Sequence, residues 1–97
     1  MKEQKQKFIV RCDRAGVFYG EIEERNGREV KMHNVRCLWY WDGAATLLQL
    51  AADGTTNPGG CKFTMAVDSL EVLDTIEIIP CTAEAMESIE GVEEWKR

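Results

Sequence analysis

Residues 37 to 54, CLWYWDGAATLLQLAADG, gather residue types suited to holding a flat, charged ligand. Trp39 and Trp41 offer ring faces on which a base stacks whatever its identity. Gly43, Ala44 and Ala45 follow with almost no side-chain bulk. If they open a helix, its unpaired amides and partial positive charge lie within reach of a phosphate. Arg11, Arg14 and Arg36 add guanidinium groups, which bind phosphate through two parallel donors. Lys62, beside a glycine-rich loop, completes such a pocket, and Gln49 and Asn57 supply polar edges.

Each of these residues also has a plain structural role. Aromatics at a strand-to-helix junction commonly close a core. Small residues serve helix packing as well as they serve a phosphate, and DGAAT matches neither a Walker nor a dinucleotide fingerprint. Asp42 repels an anion unless its carboxylate is occupied in capping. A single exposed arginine is usually a solvated surface group.

Other chemistry finds little footing. His33 has no Ser or Cys partner at a recognisable spacing and reads as a surface residue in a polar strand. Cys12, Cys37, Cys61 and Cys81 are scattered without a C-x-x-C pair, which suits small buried hydrophobes in a reducing compartment better than zinc or disulfides. The sequence shows no nucleophile elbow, paired-carboxylate pattern or metal cluster, so neither an enzyme, a cofactor nor a metal is expected.

The 97 residues, 44% of them apolar, suffice for one core, and a single domain over 7–97 behind a flexible segment 1–6 is expected. No run is long enough to span a membrane. The charged start MKEQKQKFIV lacks the features of a signal peptide, which predicts a cytoplasmic protein. The net charge of -5 is unevenly spread: residues 1 to 38 carry nine bases against six acids, and residues 39 to 97 three against eleven. An acidic whole argues against duplex nucleic acid as a partner while leaving room for a local basic pocket. Alternatively, the two halves, or neighbouring subunits, attract each other.

The elements that must position these residues follow from local signals. FIVRCD at 8–13 and VFYGEIEE at 17–24 read as strands joined at RAG, and Asn26-Gly27 is a strong hairpin signal into a third strand through REVKMHNV towards Leu38. In an extended chain Trp39 and Trp41 share one side and Tyr40 takes the other. Asp42 then caps a helix whose apolar face is Leu47, Leu48, Leu50 and Ala51, and Gly54 ends it. TTNPGG at 55–60 is a loop. CKFTMAV at 61–67 and IEIIP at 76–80 are strand-like, with SLEVLD weaker between them, and Pro80 stops the last strand. Thr82 caps a second helix with a stripe of Ala83, Met86, Ile89 and Val92, and Trp95 docks the tail behind it. The expected fold is α+β: an antiparallel β-meander with one central helix and a C-terminal helix packed on the sheet.

The run LWYWDGAATLLQLA, with AGVFYGEIEERNGREV before it and NPGGCKF and IEIIPCT after it, resembles a family of small proteins encoded by bacteriophages and prophages. The resemblance implies a phage gene product in the host cytoplasm, and it carries over no active site. Phage proteins of this size include oligomeric binders that sequester the cyclic nucleotide signals of antiphage defence, which is an analogy of role rather than of motif. The expectation is therefore a non-enzymatic homo-oligomer that holds a small nucleotide ligand near the strand-to-helix junction. The competing expectation is a protein-interaction or structural module in which the same aromatics and small residues form an interface.

Overall fold

A computed structural model describes residues 5–96. Most of the segment expected to be flexible, residues 1–4, lies outside them. Within that segment Gln6 is tied down, its amide donating to the carbonyls of Lys7 and Cys81 at 2.7 Å each.

The chain runs β1 (Phe8–Cys12), β2 (Val17–Asn26), β3 (Glu29–Tyr40), α1 (Leu47–Asp53), β4 (Lys62–Phe63), β5 (Val67–Val72), β6 (Thr75–Pro80) and α2 (Ala83–Glu90). All strand pairs are antiparallel, in the order β4-β3-β2-β1-β6, with β5 on the same edge of β3 as β4. This is the expected α+β meander with a central and a C-terminal helix. Gly27 supplies the positive φ of the hairpin, at 64°. Asn26 itself pairs with Glu29, so the two-residue loop is Gly27-Arg28, one position later than the Asn26-Gly27 signal implied. SLEVLD proves a better strand than CKFTMAV, which pairs only at Lys62 and Phe63 before β5 begins at Val67.

The sheet bends sharply where β2 crosses β3. Pairing shifts between Tyr19 and Glu21, and Asn34 opposite takes a left-handed φ of 51°. Gly20 permits this, because a Cβ there would lie 2.9 Å from the His33 carbonyl oxygen and 3.2 Å from the Val35 Cα. A register shift of this kind increases local twist and re-aims the strand. Only Leu73 and Asp74 separate β5 from β6, so the two outer strands of the sheet meet at that corner and the sheet is rolled.

Rolling gives the sheet two apolar faces. The inner one holds Val10, Cys12, Val30, Met32, Val35 and Val72. The outer one, with Ile9, Tyr19, Leu38 and Phe63, is covered by Leu47, Leu50 and Ala51 of α1 and by Ala85, Met86 and Ile89 of α2. The α2 stripe is buried as expected at Met86, Ile89 and, just beyond the helix end, Val92, but Ala85 rather than the exposed Ala83 faces the core above them. Leu48 is 62% exposed and is not part of the α1 face.

The start of α1 is a further correction. Asp42 does not cap it. The N-cap is Thr46, whose Oγ1 accepts from the Gln49 amide at 3.1 Å while the Gln49 side chain accepts from the Ala45 amide at 2.8 Å. Thr46 and Gln49 stand at capping-box spacing, and they satisfy the Gln49 amide of the first turn and the Ala45 amide just before the cap. Thr82 does cap α2, accepting from the Ala85 amide. Gly54 does end α1, with φ 80° and its N–H on the Leu50 carbonyl. A Cβ on Gly54 would overlap the Ser88 side chain of α2, so this glycine sets how closely the helices approach. Gly54→Ala is expected to cost about 2 kcal/mol or more from strained φ and overpacking together, read as a lowered urea midpoint at unchanged m-value.

Candidate functional site

The strand-to-helix junction is closed by its own loop. Asp42 Oδ1 accepts from the Gly43 amide at 2.9 Å and Oδ2 from Asn57 Nδ2 at 2.9 Å. The Gly43 carbonyl takes the amide and the hydroxyl of Thr56, both at 3.1 Å. Gly43 sits at φ 80°, and a Cβ there would lie 2.5 Å from the Asn57 nitrogen. Close backbone approach at Gly43 is therefore real, but the backbone that approaches is residues 55–57 of the same chain. Ala44 packs half-buried against the outer core, and Gln49 is engaged at the helix cap. Gly43, Ala44, Gln49 and Asn57 build a locked loop and leave no open cradle of helix amides.

Arg36 departs furthest from expectation. Its side chain runs inward from β3 and the residue is only 7% exposed. Nε donates to the Thr64 carbonyl at 2.8 Å and Nη1 to that of Ile89 at 2.8 Å, while Nη2 faces the carbonyls of Val92 at 2.9 Å, Phe63 at 3.2 Å and Glu93 at 3.4 Å. The guanidinium carbon also lies 5.6 Å from the centre of the Phe63 ring. Burial pushes this guanidinium below its ordinary pKa, opposed by the carboxylates of Glu94 and Glu90. Of its five N–H donors only the second hydrogen of Nη1 lacks a carbonyl partner, so the two-donor fork that would grip a phosphate is not free.

The other proposed bases are dispersed. Arg11 pairs with Glu77 of β6 at 3.1 Å. Arg14 lies exposed on the β1–β2 turn, where its backbone amide is held by Asp74 at 2.7 Å. Both belong to the β1–β6 side, separated from β3 by β2.

Trp39 and Lys62 do come together, through Trp95. Past α2 the chain lies alongside β4, with Glu94 bridging to Phe63 and the Trp95 amide donating to the Phe63 carbonyl at 2.8 Å. The indoles of Trp39 and Trp95 stack with centroids 6.1 Å apart and planes 8° from parallel. Lys62 Nζ lies 5.5 Å from the Trp95 ring centre. Trp39 is 64% exposed and Tyr40 52%. Trp41 does not share the side of Trp39: β3 ends at Tyr40 after a pairing shift between Leu38 and Tyr40, and Trp41 turns against the outer core. The docking of Trp95 is legible as a lone aromatic among charges, but its contact with Trp39, 56 positions earlier, has no local signal.

Beside Arg36 lies a cleft of about 310 Å³ lined by Lys7, Tyr19, Asn34, Arg36, Glu90 and Glu94 among others, and sequence reasoning missed it. Tyr19 donates its hydroxyl to Glu90 Oε2, and Lys7 Nζ meets the same oxygen at 2.8 Å. Burial, then the Glu90 contact, raises the Tyr19 pKa far above its ordinary range, so it stays a neutral donor. Burial alone would raise Glu90, but the hydrogen bonds from Lys7 and Tyr19 outweigh it and hold the carboxyl below its ordinary value. The trio reads as a clasp between the segment leading into β1, β2 and α2.

Two tests follow. Arg36→Gln leaves several carbonyls unpaired and is expected to cost about 3 kcal/mol or more, whereas Arg11→Gln at an exposed pair costs under roughly 0.5 kcal/mol; urea titration of both variants compares them. Because Glu90 has a lowered folded pKa, its contribution is whole above the unfolded value of 4.5 and is lost as pH falls through the folded one. Thermal melts above and below that range should show Glu90→Gln losing less stability on acidification than the parent.

Among the described residues no helix is long and apolar enough to cross a membrane, and no group of three or more His, Cys, Asp or Glu could hold a metal ion. No curated protein and no solved structure matches the chain. A family model described as a domain of unknown function (DUF6948) matches residues 5–89, a span that includes Arg36, Trp39 and Lys62 and stops before Trp95. By that match, which covers most of its length, the chain belongs to the DUF6948 family.

Proposed function

We propose that this protein is a non-enzymatic binding module that self-associates through the ledge of Trp39, Tyr40, Trp95 and Lys62. The observation that carries the reading is the stacked indole pair at the surface, with Trp39 largely exposed. Exposed aromatic area of this kind commonly marks an interaction site, and tryptophan is enriched among residues that dominate interface energetics. A two-fold arrangement would set one ledge against its copy, an isologous contact that closes as a dimer. The resemblance to small phage proteins favours the same role, an oligomeric binder in the cytoplasm of the host.

A second reading keeps a nucleotide as ligand, because the free face of Trp39 beside the Lys62 ammonium suits a stacked base with one phosphate near it. It is the weaker, since Arg36 is turned inside and Arg11 and Arg14 lie on the β1–β6 side, so that of the four bases expected to hold phosphate only Lys62 stands at the ledge. Duplex nucleic acid fits neither reading.

Light scattering coupled to size exclusion across a dilution series is expected to give a dimer, and Trp39→Ala to raise its dissociation constant about tenfold or more. A monomer at every concentration overturns self-association. Saturable quenching of tryptophan fluorescence by cyclic di- or trinucleotides, abolished in Trp39→Ala, would establish the second reading in its place.

A further inference from the structure

The outer edge of β6 is unpaired over its middle. Cys81 donates to the Lys7 carbonyl, which makes Lys7 and Cys81 a hydrogen-bonded pair. Stepping by two along the register makes Ile9–Ile79 and Arg11–Glu77 bonded pairs as well, while Val10–Ile78 is a non-bonded pair whose backbone groups face away from β1. Among the described residues no strand lies on that outer side. Only its start is covered, where the Thr75 amide donates to the Arg28 carbonyl at 3.1 Å and Arg28 Nε to the Thr75 carbonyl at 3.2 Å.

Beyond that anchor a groove of about 390 Å³ opens between β6 and the β2–β3 hairpin tip, with Ile76, Glu77 and Ile78 on one wall and Arg25, Gly27 and Arg28 on the other. Ile76 is 46% exposed. Arg25 and Arg28 each use only Nε, on backbone carbonyls, and among the described residues neither has a carboxylate within ion-pair distance. The one acid on the groove wall, Glu77, is already paired with Arg11. The groove is therefore basic on a protein whose net charge is -5.

We propose that this groove takes an extended acidic segment of a partner protein, which adds to β6 as a further antiparallel or parallel strand. Backbone groups of Ile78 pair with the incoming chain, a small apolar side chain covers Ile76, and Asp or Glu side chains on the next positions reach the terminal nitrogens of Arg25 and Arg28. Main-chain pairing supplies affinity and alternate side chains supply selection, as in strand addition generally. Pro80 has no N–H to offer and ends the usable edge, which limits pairing to the stretch beside the two arginines. This surface is separate from the aromatic ledge, so the proposal does not rest on self-association there.

The test uses the full chain and a capped hexapeptide alternating glutamate with valine, followed by amide chemical shifts and hydrogen exchange. Saturable shifts at residues 25–28 and 75–78, with slowed exchange at Ile78, are expected. Replacing every glutamate of the peptide by lysine, or methylating alternate backbone nitrogens, should abolish binding. The Arg25→Gln, Arg28→Gln double variant should weaken it at least tenfold while the chain keeps its melting temperature within a few degrees. Absence of binding, equal binding of the lysine peptide, or shifts confined to other surfaces would overturn the proposal. So would protection of Ile78 that rises with protein concentration alone, which would assign the edge to a second copy.

Discussion

Arg36 carries a full positive charge into the space between the sheet and α2, and the other elements on that side are placed by what the charge requires. Removing a guanidinium from water costs several kcal/mol unless its donors are all met. Here four of the five are met by carbonyls from three places: Phe63 and Thr64 at the end of β4, Ile89 in the last turn of α2, and Val92 and Glu93 in the tail. The carbonyl end of a helix carries partial negative charge, so α2 presents its favourable pole to the cation. Once Val92 and Glu93 are held there, the next residues have little choice of path. Glu94 falls beside Phe63, Trp95 donates to it, and the Trp95 ring is delivered onto Trp39. The aromatic ledge is in this sense an outward consequence of an inward arginine.

The second organising feature is the bend at Gly20 and Asn34. A flat meander of this length would show one face to water, yet both faces here are apolar. The shift in pairing lets the far half of the β2–β3 hairpin curl over the inner cluster and carry β5 with it, while the helices cover the outer cluster. The curl also brings the hairpin tip to the start of β6 without completing a barrel. A closed barrel abolishes edges, and this one stops short, held at Arg28 and Thr75 and open beside Ile76 to Ile78.

What the sequence discloses is local. The first three strands, the glycine of the hairpin, Gly54 at the end of α1 and Thr82 at the start of α2 are set by residues within a turn of one another, and they are found where the types and spacings put them. Asp42 and Thr46 are both good caps by type. Thr46 wins because Gln49 stands three residues on to complete the exchange, whereas Asp42 is drawn into the loop by Asn57. Spacing of three puts Ala83 in the α2 stripe with Met86, Ile89 and Val92, whereas Ala85, four residues before Ile89, is the alanine that packs inward. The role of Arg36 was out of reach for a different reason. Its partners are backbone carbonyls, which every residue possesses, so no side-chain pattern could point to them.

The uneven charge of the chain acquires a physical meaning in three dimensions. Lys7–Glu90 and Arg11–Glu77 join the basic first part to the acidic second, whereas Lys5, Lys31 and His33 find acids within the first part itself. Arg36 needs no acid at all. Of the remainder, Arg25 and Arg28 share the hairpin tip with Glu24 and Glu29, while Glu84, Glu87, Glu93 and Glu94 follow α2 and its tail. A molecule divided in this way orients an approaching charged partner before contact, since the field of a separated charge distribution reaches about a Debye length, roughly 8 Å at physiological salt. The acidic helix side would repel an acidic chain of the kind proposed for the open edge of β6, while the aromatic ledge is bordered by both signs, at Lys62 and Glu94. The two proposed surfaces thus differ in chemistry, one aromatic and one a strand edge beside two arginines, and β1 and β2 of the rolled sheet lie between them.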